Sequence, residues 1–347
     1  MYRLSDYDYP LPKELIAQEP LSAREKARLL VLNRRTGEII HTEFFQIINY
    51  LIPNDVLVIN DTRVIPARLI GKKETGGRVE ILLLSTDPNK IRDKVLTAEA
   101  LLRASRAPKV GQYIYFENGL KAEVLGYHKG KVSLRFFSKY PFFEILKKIG
   151  HIPLPPYIKR EDKTEDKKFY QTVYAAKNGS VAAPTAGLHF TEKLLKEISI
   201  KGIEIVRLTL HVGYGTFTPV KVEDIRKHKM HGEVYEISEE AAAVLNHALR
   251  CKKRIIAVGT TTTRLLEYQM TKYGKIKSEK GICDLFIYPS YKFKIVQAMI
   301  TNFHLPKSTL IMLVCAFANR ELIFKAYQEA IRRQYRFYSY GDAMFIF

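Results

Sequence analysis

Arg254-Ile255-Ile256-Ala257-Val258-Gly259-Thr260-Thr261-Thr262-Thr263-Arg264 is the stretch on which the fold turns. A short apolar, β-branched run that stops at a glycine reads as a buried strand, and the hydroxyl cluster after it leads into a helix from Thr262. A strand running straight into a helix is the repeating unit of an α/β domain. Working backwards the alternation continues, with a helix over 238–250, a strand over 203–210 and a helix over 191–201 that Thr191 is placed to cap. Working forwards, Ser308 to Val314 is either a last strand or the opening of a buried helix that runs into Ala316-Phe317-Ala318. Periodicity does not separate the two.

Further back the texture changes. Between Ile65 and Phe143, short alternating segments such as 78–84, 112–116 and 131–136 are separated by glycine-containing turns. That spacing suggests a small antiparallel β-barrel inserted at residues 65–150, with 1–64 and 151–347 forming a mixed α/β main domain. In the first part, 28–32 and 55–60 read as strands. His41 to Ile52 has helical spacing and is stopped by Pro53-Asn54. After the insert, Ile152-Pro153-Leu154-Pro155-Pro156-Tyr157 reads as a stiff crossing and 163–168 as a charged, solvent-facing stretch. The segment 209–220 reads as strand-turn-strand.

The chain has 347 residues, 46% of them hydrophobic, enough for two domains and a sizeable core. Its 56 Lys and Arg against 36 Asp and Glu leave a formal +20, a balance that favours a polyanionic partner, although a Lys-rich solvated surface gives the same count. No apolar run reaches the ~18 to 20 residues of a membrane span, and the first residues lack the apolar core of a signal peptide, so a cytoplasmic location is expected. Cys251, Cys283 and Cys315 are too few and too scattered for a disulfide framework or a zinc knuckle, and read as reduced, partly buried small hydrophobes.

Four segments carry Gly, Thr, His and Pro beyond what packing needs. Ser180 to Thr191 is a loop of small residues with His189 as a base or hydrogen-bond donor; a tight turn with a surface His is the alternative. Thr209 to Val220 carries His211 and two glycines, Gly213 and Gly215, without the third glycine and helix of a nucleotide-binding turn. Thr260 to Thr263 at a helix start favour an anion, a phosphate or a carboxylate. The tail, Tyr335 to Met344, sets arginine beside aromatics, as a base-stacking surface or as a terminal strand anchored by aromatics. Asp61 and Arg63 sit between apolar strands and serve either a site or an internal ion pair. His228 and His231 imitate metal spacing but are joined by no Cys or second carboxylate cluster, so no metal is expected.

Taken in order, these segments resemble the S-adenosylmethionine:tRNA ribosyltransferase-isomerase family of queuosine biosynthesis. The resemblance runs from Leu4-Ser5-Asp6-Tyr7-Asp8-Tyr9-Pro10-Leu11-Pro12 through Asn60-Asp61-Thr62-Arg63 and Gly76-Gly77-Arg78-Val79-Glu80. It continues through Ile152 to Ile158, Tyr170-Gln171-Thr172-Val173-Tyr174-Ala175, the Ser180 loop, Thr301 to Leu310 and the tail, covering essentially the whole chain. Four features depart from it: Tyr214 stands where a small residue is expected, Thr262-Thr263 replaces Ser-Val, Ser290 replaces Gly after Ile287-Tyr288-Pro289, and the insert keeps only part of an expected basic run near Arg103 to Lys109.

The resemblance implies transfer and isomerisation of the ribosyl part of S-adenosylmethionine onto 7-aminomethyl-7-deazaguanine at the tRNA wobble position, releasing adenine and methionine. S-adenosylmethionine is then a co-substrate, no bound cofactor is expected, and the working unit is a monomer. His189 and His211 are the proton-transfer candidates, with Asp61, Arg63 and Asp342 orienting them. Thr185, Gly187, Gly213, Gly215, Thr260, Thr261, Thr262, Arg264, Asn302, His304, Arg336 and Tyr340 are the substrate-binding candidates, Thr260 to Thr263 holding the methionyl carboxylate. The rivals are an RNA methyltransferase, which would release S-adenosylhomocysteine, and a non-catalytic RNA-binding protein.

Overall fold

The computed structural model describes residues 2–84, 94–217 and 219–347. Four strands come first: β1 (Arg28–Leu32), β2 (Ile39–Glu43), β3 (Val56–Asn60) and β4 (Thr62–Val64). The segment expected to be helical over 41–52 is instead the end of edge strand β2 followed by a 3-10 turn over Phe44–Tyr50. Its apolar spacing is met by burying Phe44 and Ile47 in that tight turn.

The insert is a closed barrel of six antiparallel strands, β5 (Arg68–Lys73), β6 (Arg78–Leu83), β7 (Val95–Ala104), β8 (Tyr113–Tyr115), β9 (Lys121–His128) and β10 (Lys131–Phe137). Alternation turns Val79, Ile81 and Leu83 inward with Val132, Leu134 and Phe136, and helix α1 (Phe142–Ile149) adds Phe142, Ile145 and Leu146 to the same core. Arg68 pairs with Glu80 inside the barrel at 2.7 Å and reaches Asp162, just past the crossing, at 3.4 Å.

The rest of the chain supplies α2 (Asp166–Phe169), β11 (Lys177–Ser180), α3 (Glu192–Ile200), β12 (Glu204–Leu210), β13 (Glu233–Ile237), α4 (Glu239–Arg250) and β14 (Ile255–Val258). Then follow α5 (Thr260–Tyr273), β15 (Glu279–Cys283), β16 (Ala298–Asn302), α6 (Thr309–Ala318), α7 (Arg320–Arg332) and β17 (Ala343–Ile346). Thr191 caps α3, accepting from Leu194 N at 3.1 Å. Ser308 caps α6, which settles that ambiguous segment as a helix. Helix α5 opens at Thr260, two residues earlier than the sequence suggests.

A nine-stranded sheet in the order β15-β13-β12-β3-β14-β16-β17-β1-β2 organises the body. Strands β12, β3, β14 and β16 are mutually parallel, and the last three are buried along their whole length, as interior parallel strands are. From β3 the chain places β12 on one side and β14 on the other, so the order reverses there, and the crevice outside the carboxyl ends at such a reversal is where ligands bind in open α/β sheets. Past β12 the expected second strand does not form: one 3-10 turn over Tyr214–Phe217 follows, and Thr218 lies outside the described residues. Of the cysteines, Cys283 and Cys315 are buried, while Cys251 is exposed. Among the described residues no helix is long and apolar enough to cross a membrane.

Candidate active site

Every one of the four motif segments reaches one cleft at the carboxyl ends of the parallel strands. The cleft encloses about 590 Å³, partly open to solvent, and is walled by Ala182 to Ala186, Val212 and Thr216, Gly259 to Thr261, Thr301 to Leu305, and Tyr338-Ser339, with Tyr157 from the proline-rich crossing. Small side chains on three of these walls leave backbone exposed to a ligand.

Gly259, at φ 90°, lets β14 turn directly into α5 and precedes the hydroxyl cluster. The four threonines divide. Thr262 and Thr263 spend their hydroxyls on the carbonyls of Val258 and Gly259, at 2.8 and 3.1 Å. Thr260 and Thr261 line the cleft, and the buried Thr261 Oγ1 has no hydrogen-bond partner among the described residues. The anion-favouring helix start is therefore present, but Thr262 is not part of its open face.

Opposite, Thr185 Oγ1 donates to Asn302 Oδ1 at 2.9 Å, and Asn302 Nδ2 lies 3.3 Å from His189 Nε2. An amide nitrogen only donates, so His189 accepts at Nε2 and carries its proton on Nδ1. His189 stands behind Asn302 against the Phe44 ring and lines a smaller adjoining pocket with Arg24, Leu188 and Gly341. Burial, and then the Arg24 charge, push its imidazole down to about 4. His304 is in the cleft itself, with Nε2 2.7 Å from Thr301 Oγ1, and burial pushes it down to about 3. Both are neutral near pH 7, a state that neither repels a cationic ligand nor bars proton acceptance.

The remaining candidates are spread around this centre. His211 lies outside the cleft at the end of β12, with Nδ1 2.8 Å from Thr62 Oγ1 and its imidazole pushed down to about 4 by burial. Asp61 is buried, with its Oδ1 accepting from Thr209 Oγ1 at 2.6 Å; burial raises its carboxyl above the ordinary value. Arg63 is exposed and donates to the Ala175 carbonyl. Gly187 packs against Tyr174, whose hydroxyl leaves no room for a Cβ, so its glycine is a packing requirement. Gly213, Gly215 and Arg264 line a side pocket that shares Thr216 and Leu310 with the cleft.

The tail is an anchor more than a stacking surface. Tyr335, Phe337 and Tyr340 are buried, and Tyr340 donates to Asp166 Oδ1 at 2.7 Å. Asp342 is 1% exposed and accepts from Arg28 N, Arg28 Nε and Arg336 N at 2.9, 3.1 and 2.8 Å. Arg336 also donates to the Glu19 carbonyl. Only Tyr338 and Ser339 of this segment face the cleft.

Sequence reasoning missed three groups. Tyr157 bonds Ser339 at 2.5 Å and closes the cleft. Asp166, in the stretch read as solvent-facing, is buried and held by Arg160 at 2.7 and 2.9 Å. Glu233 pairs with Arg264 at 2.6 Å in a fully buried ion pair. A carboxylate just after His228 and His231 was the available signal. No group of three or more His, Cys, Asp or Glu among the described residues is arranged to hold a metal ion.

The family model described as queuosine biosynthesis protein matches residues 4–346. Proteins named S-adenosylmethionine:tRNA ribosyltransferase-isomerase are 52% identical in Clostridium kluyveri, 49% in Syntrophotalea carbinolica and 51% in a Sulfurihydrogenibium strain, each over 99% of both chains. The crystal structure of S-adenosylmethionine tRNA ribosyltransferase from Thermotoga maritima aligns over 99% of this chain and 100% of its own, at 35% identity and a TM-score of 0.55.

Proposed function

This chain belongs to the queuosine biosynthesis protein family, and from that premise we propose that it is an S-adenosylmethionine:tRNA ribosyltransferase-isomerase. It transfers the ribosyl part of S-adenosylmethionine to 7-aminomethyl-7-deazaguanine at the tRNA wobble position, isomerises it to the epoxide of epoxyqueuosine, and releases adenine and methionine. The observation that carries the reading is the convergence of the motif segments on one cleft at the carboxyl ends of β12, β14 and β16.

The sulfonium of the donor acidifies the adjacent C5′ hydrogens. A base that removes one of them allows the sugar to open with loss of adenine, after which the aminomethyl nitrogen attacks and ring closure expels methionine. Such steps need a water-poor pocket and groups fixed before the reaction. Neutral imidazoles suit a cationic donor. His304 contacts it from the cleft, His189 acts through Asn302, and the Thr260-Thr261 end of α5 stabilises negative charge. His211, Asp61 and Arg63 hold the neighbouring strand ends, and Asp342 with Arg336 sets the tail wall.

The net charge of +20 supports tRNA as the partner, with the insert, taken as residues 65–150 between body segments 1–64 and 151–347, as a second contact surface. We propose a monomeric working unit, and a tRNA substrate supports a cytoplasmic location. Incubation with S-adenosylmethionine and an anticodon stem-loop bearing the modified base tests the reading: free adenine and a ribosyl-sized RNA mass gain are expected. A methyl-sized gain with S-adenosylhomocysteine would overturn it.

A further inference from the structure

The Arg264–Glu233 pair is an unusual thing to bury. Arg264 is 4% exposed and Glu233 5%. Arg264 Nη1 donates to Glu233 Oε2 at 2.6 Å and Nε donates to the Leu285 carbonyl at 3.0 Å. Its Nη2 is buried and has no hydrogen-bond partner among the described residues. A buried guanidinium with an unmet face is costly to keep, and such groups are ordinarily satisfied by a partner. Glu233 is nearly saturated on one oxygen, where Oε1 accepts from Gly213 N at 3.0 Å and Thr216 Oγ1 at 3.3 Å, but among the described residues Oε2 receives only Arg264.

These two side chains line a pocket of about 420 Å³, partly open to solvent, with Gly213, Thr216, His231 and Leu310. Thr216 and Leu310 also wall the main cleft, so a ligand can extend from one space into the other. Arg264 follows Thr260 and Thr261 at helical spacings of four and three, which puts all three on one face of α5.

Resting on the donor assigned above, we propose that this side pocket seats the amino-acid end of S-adenosylmethionine, with Arg264 Nη2 on the carboxylate and Glu233 Oε2 on the ammonium. Two signs side by side in the pocket match a zwitterion. A phosphate would meet the Glu233 charge, and an RNA backbone has no route to a pair this deeply buried. The methionyl carboxylate then lies one turn inside α5, leaving Thr260 and Thr261 to the ribose hydroxyls.

Calorimetric titration with S-adenosylmethionine and with its decarboxylated form, which keeps the sulfonium and the ammonium, tests this. The unaltered protein should prefer the intact donor by at least about tenfold, the loss expected for one charge-assisted pair. Arg264→Gln combined with Glu233→Gln removes both charges together and should bind the two compounds alike. If this double variant melts early, Arg264→Lys serves, and its preference should fall at least severalfold. Equal binding of the two compounds by the unaltered protein, or an undiminished preference in the folded variants, overturns the proposal. Adenine release by the unaltered protein separates the outcomes: release without discrimination removes only the Arg264 assignment, whereas no release removes the function reading and this inference together.

Discussion

Thr185 Oγ1 and Asn302 Oδ1 are joined at 2.9 Å, which makes the small-residue loop and the end of β16 a single wall of the cleft. Asn302 passes this constraint on to His189 through its amide. Thr185→Val removes the donor and leaves an acceptor unmet, so turnover should fall about tenfold, a loss of the size of one buried hydrogen bond. Thr185→Ser should restore most of it. Equal kcat in the valine variant would show that the wall does not position the reaction.

His189→Ala should lower adenine release by about 10² to 10⁴, the range of an acid-base or orienting imidazole, while leaving tRNA affinity nearly unchanged. Both are measurable on one preparation. Activity comparable to the parent would remove His189 from the mechanism.

Stability should depend on acid in a defined window. His189 and His211 are pushed down to about 4 and His304 to about 3, chiefly by burial. In the unfolded chain they titrate near 6.5. Below that value the unfolded state binds protons that the folded state refuses, so stability is complete above about 6.5 and declines as pH falls toward 4. His189 alone contributes roughly 3 kcal/mol to this slope. Urea midpoints across the window should show a visibly flatter profile for His189→Gln; an unchanged profile would contradict the buried neutral form.

Ser290 takes φ 91°, a backbone region that favours glycine, at the very position where the family resemblance leads one to expect glycine. Ser290→Gly should raise stability by about 0.5 to 1 kcal/mol, the relief of a left-handed residue less the added freedom of the unfolded chain. Thermal melting would read it directly, and a lower melting temperature would mean the Tyr2–Ser290 contact at 3.2 Å outweighs the strain.

Binding of tRNA should weaken steeply with salt. For about four phosphate contacts the affinity drops roughly a hundredfold between about 50 and 200 mM salt. A flat dependence would mean that the charge of +20 has little to do with RNA.

Much of this was legible from local pattern. The β14–α5 unit announces itself because a buried apolar run ends at a glycine, and the barrel because period-two alternation is broken at regular turns. The misreadings have physical sources. Phe44, Ile47 and Leu51 are spaced as on an α-helix, yet a tighter turn buries them equally well. A tyrosine count carries no burial, so Tyr335 and Tyr340 read as stacking platforms although both are interior. Asp342 reads as a site carboxylate because its partner, Arg28, is 314 residues away. The split among the threonines follows from back-bonding to the fourth preceding carbonyl, but only once the helix start at Thr260 is known.

That Arg28–Asp342 contact also joins two distant segments on which the cleft depends. β17 is an interior strand, wedged between β16 and β1, and the stretch just before it carries Tyr338 and Ser339. Joining segments so distant along the chain is the slowest kind of closure, because loop entropy opposes it until the rest of the sheet is in place. A molecule caught before that step would hold most of its secondary structure and lack one side of its binding cleft. Ligand binding in the cleft would hold the two distant segments together once they have met.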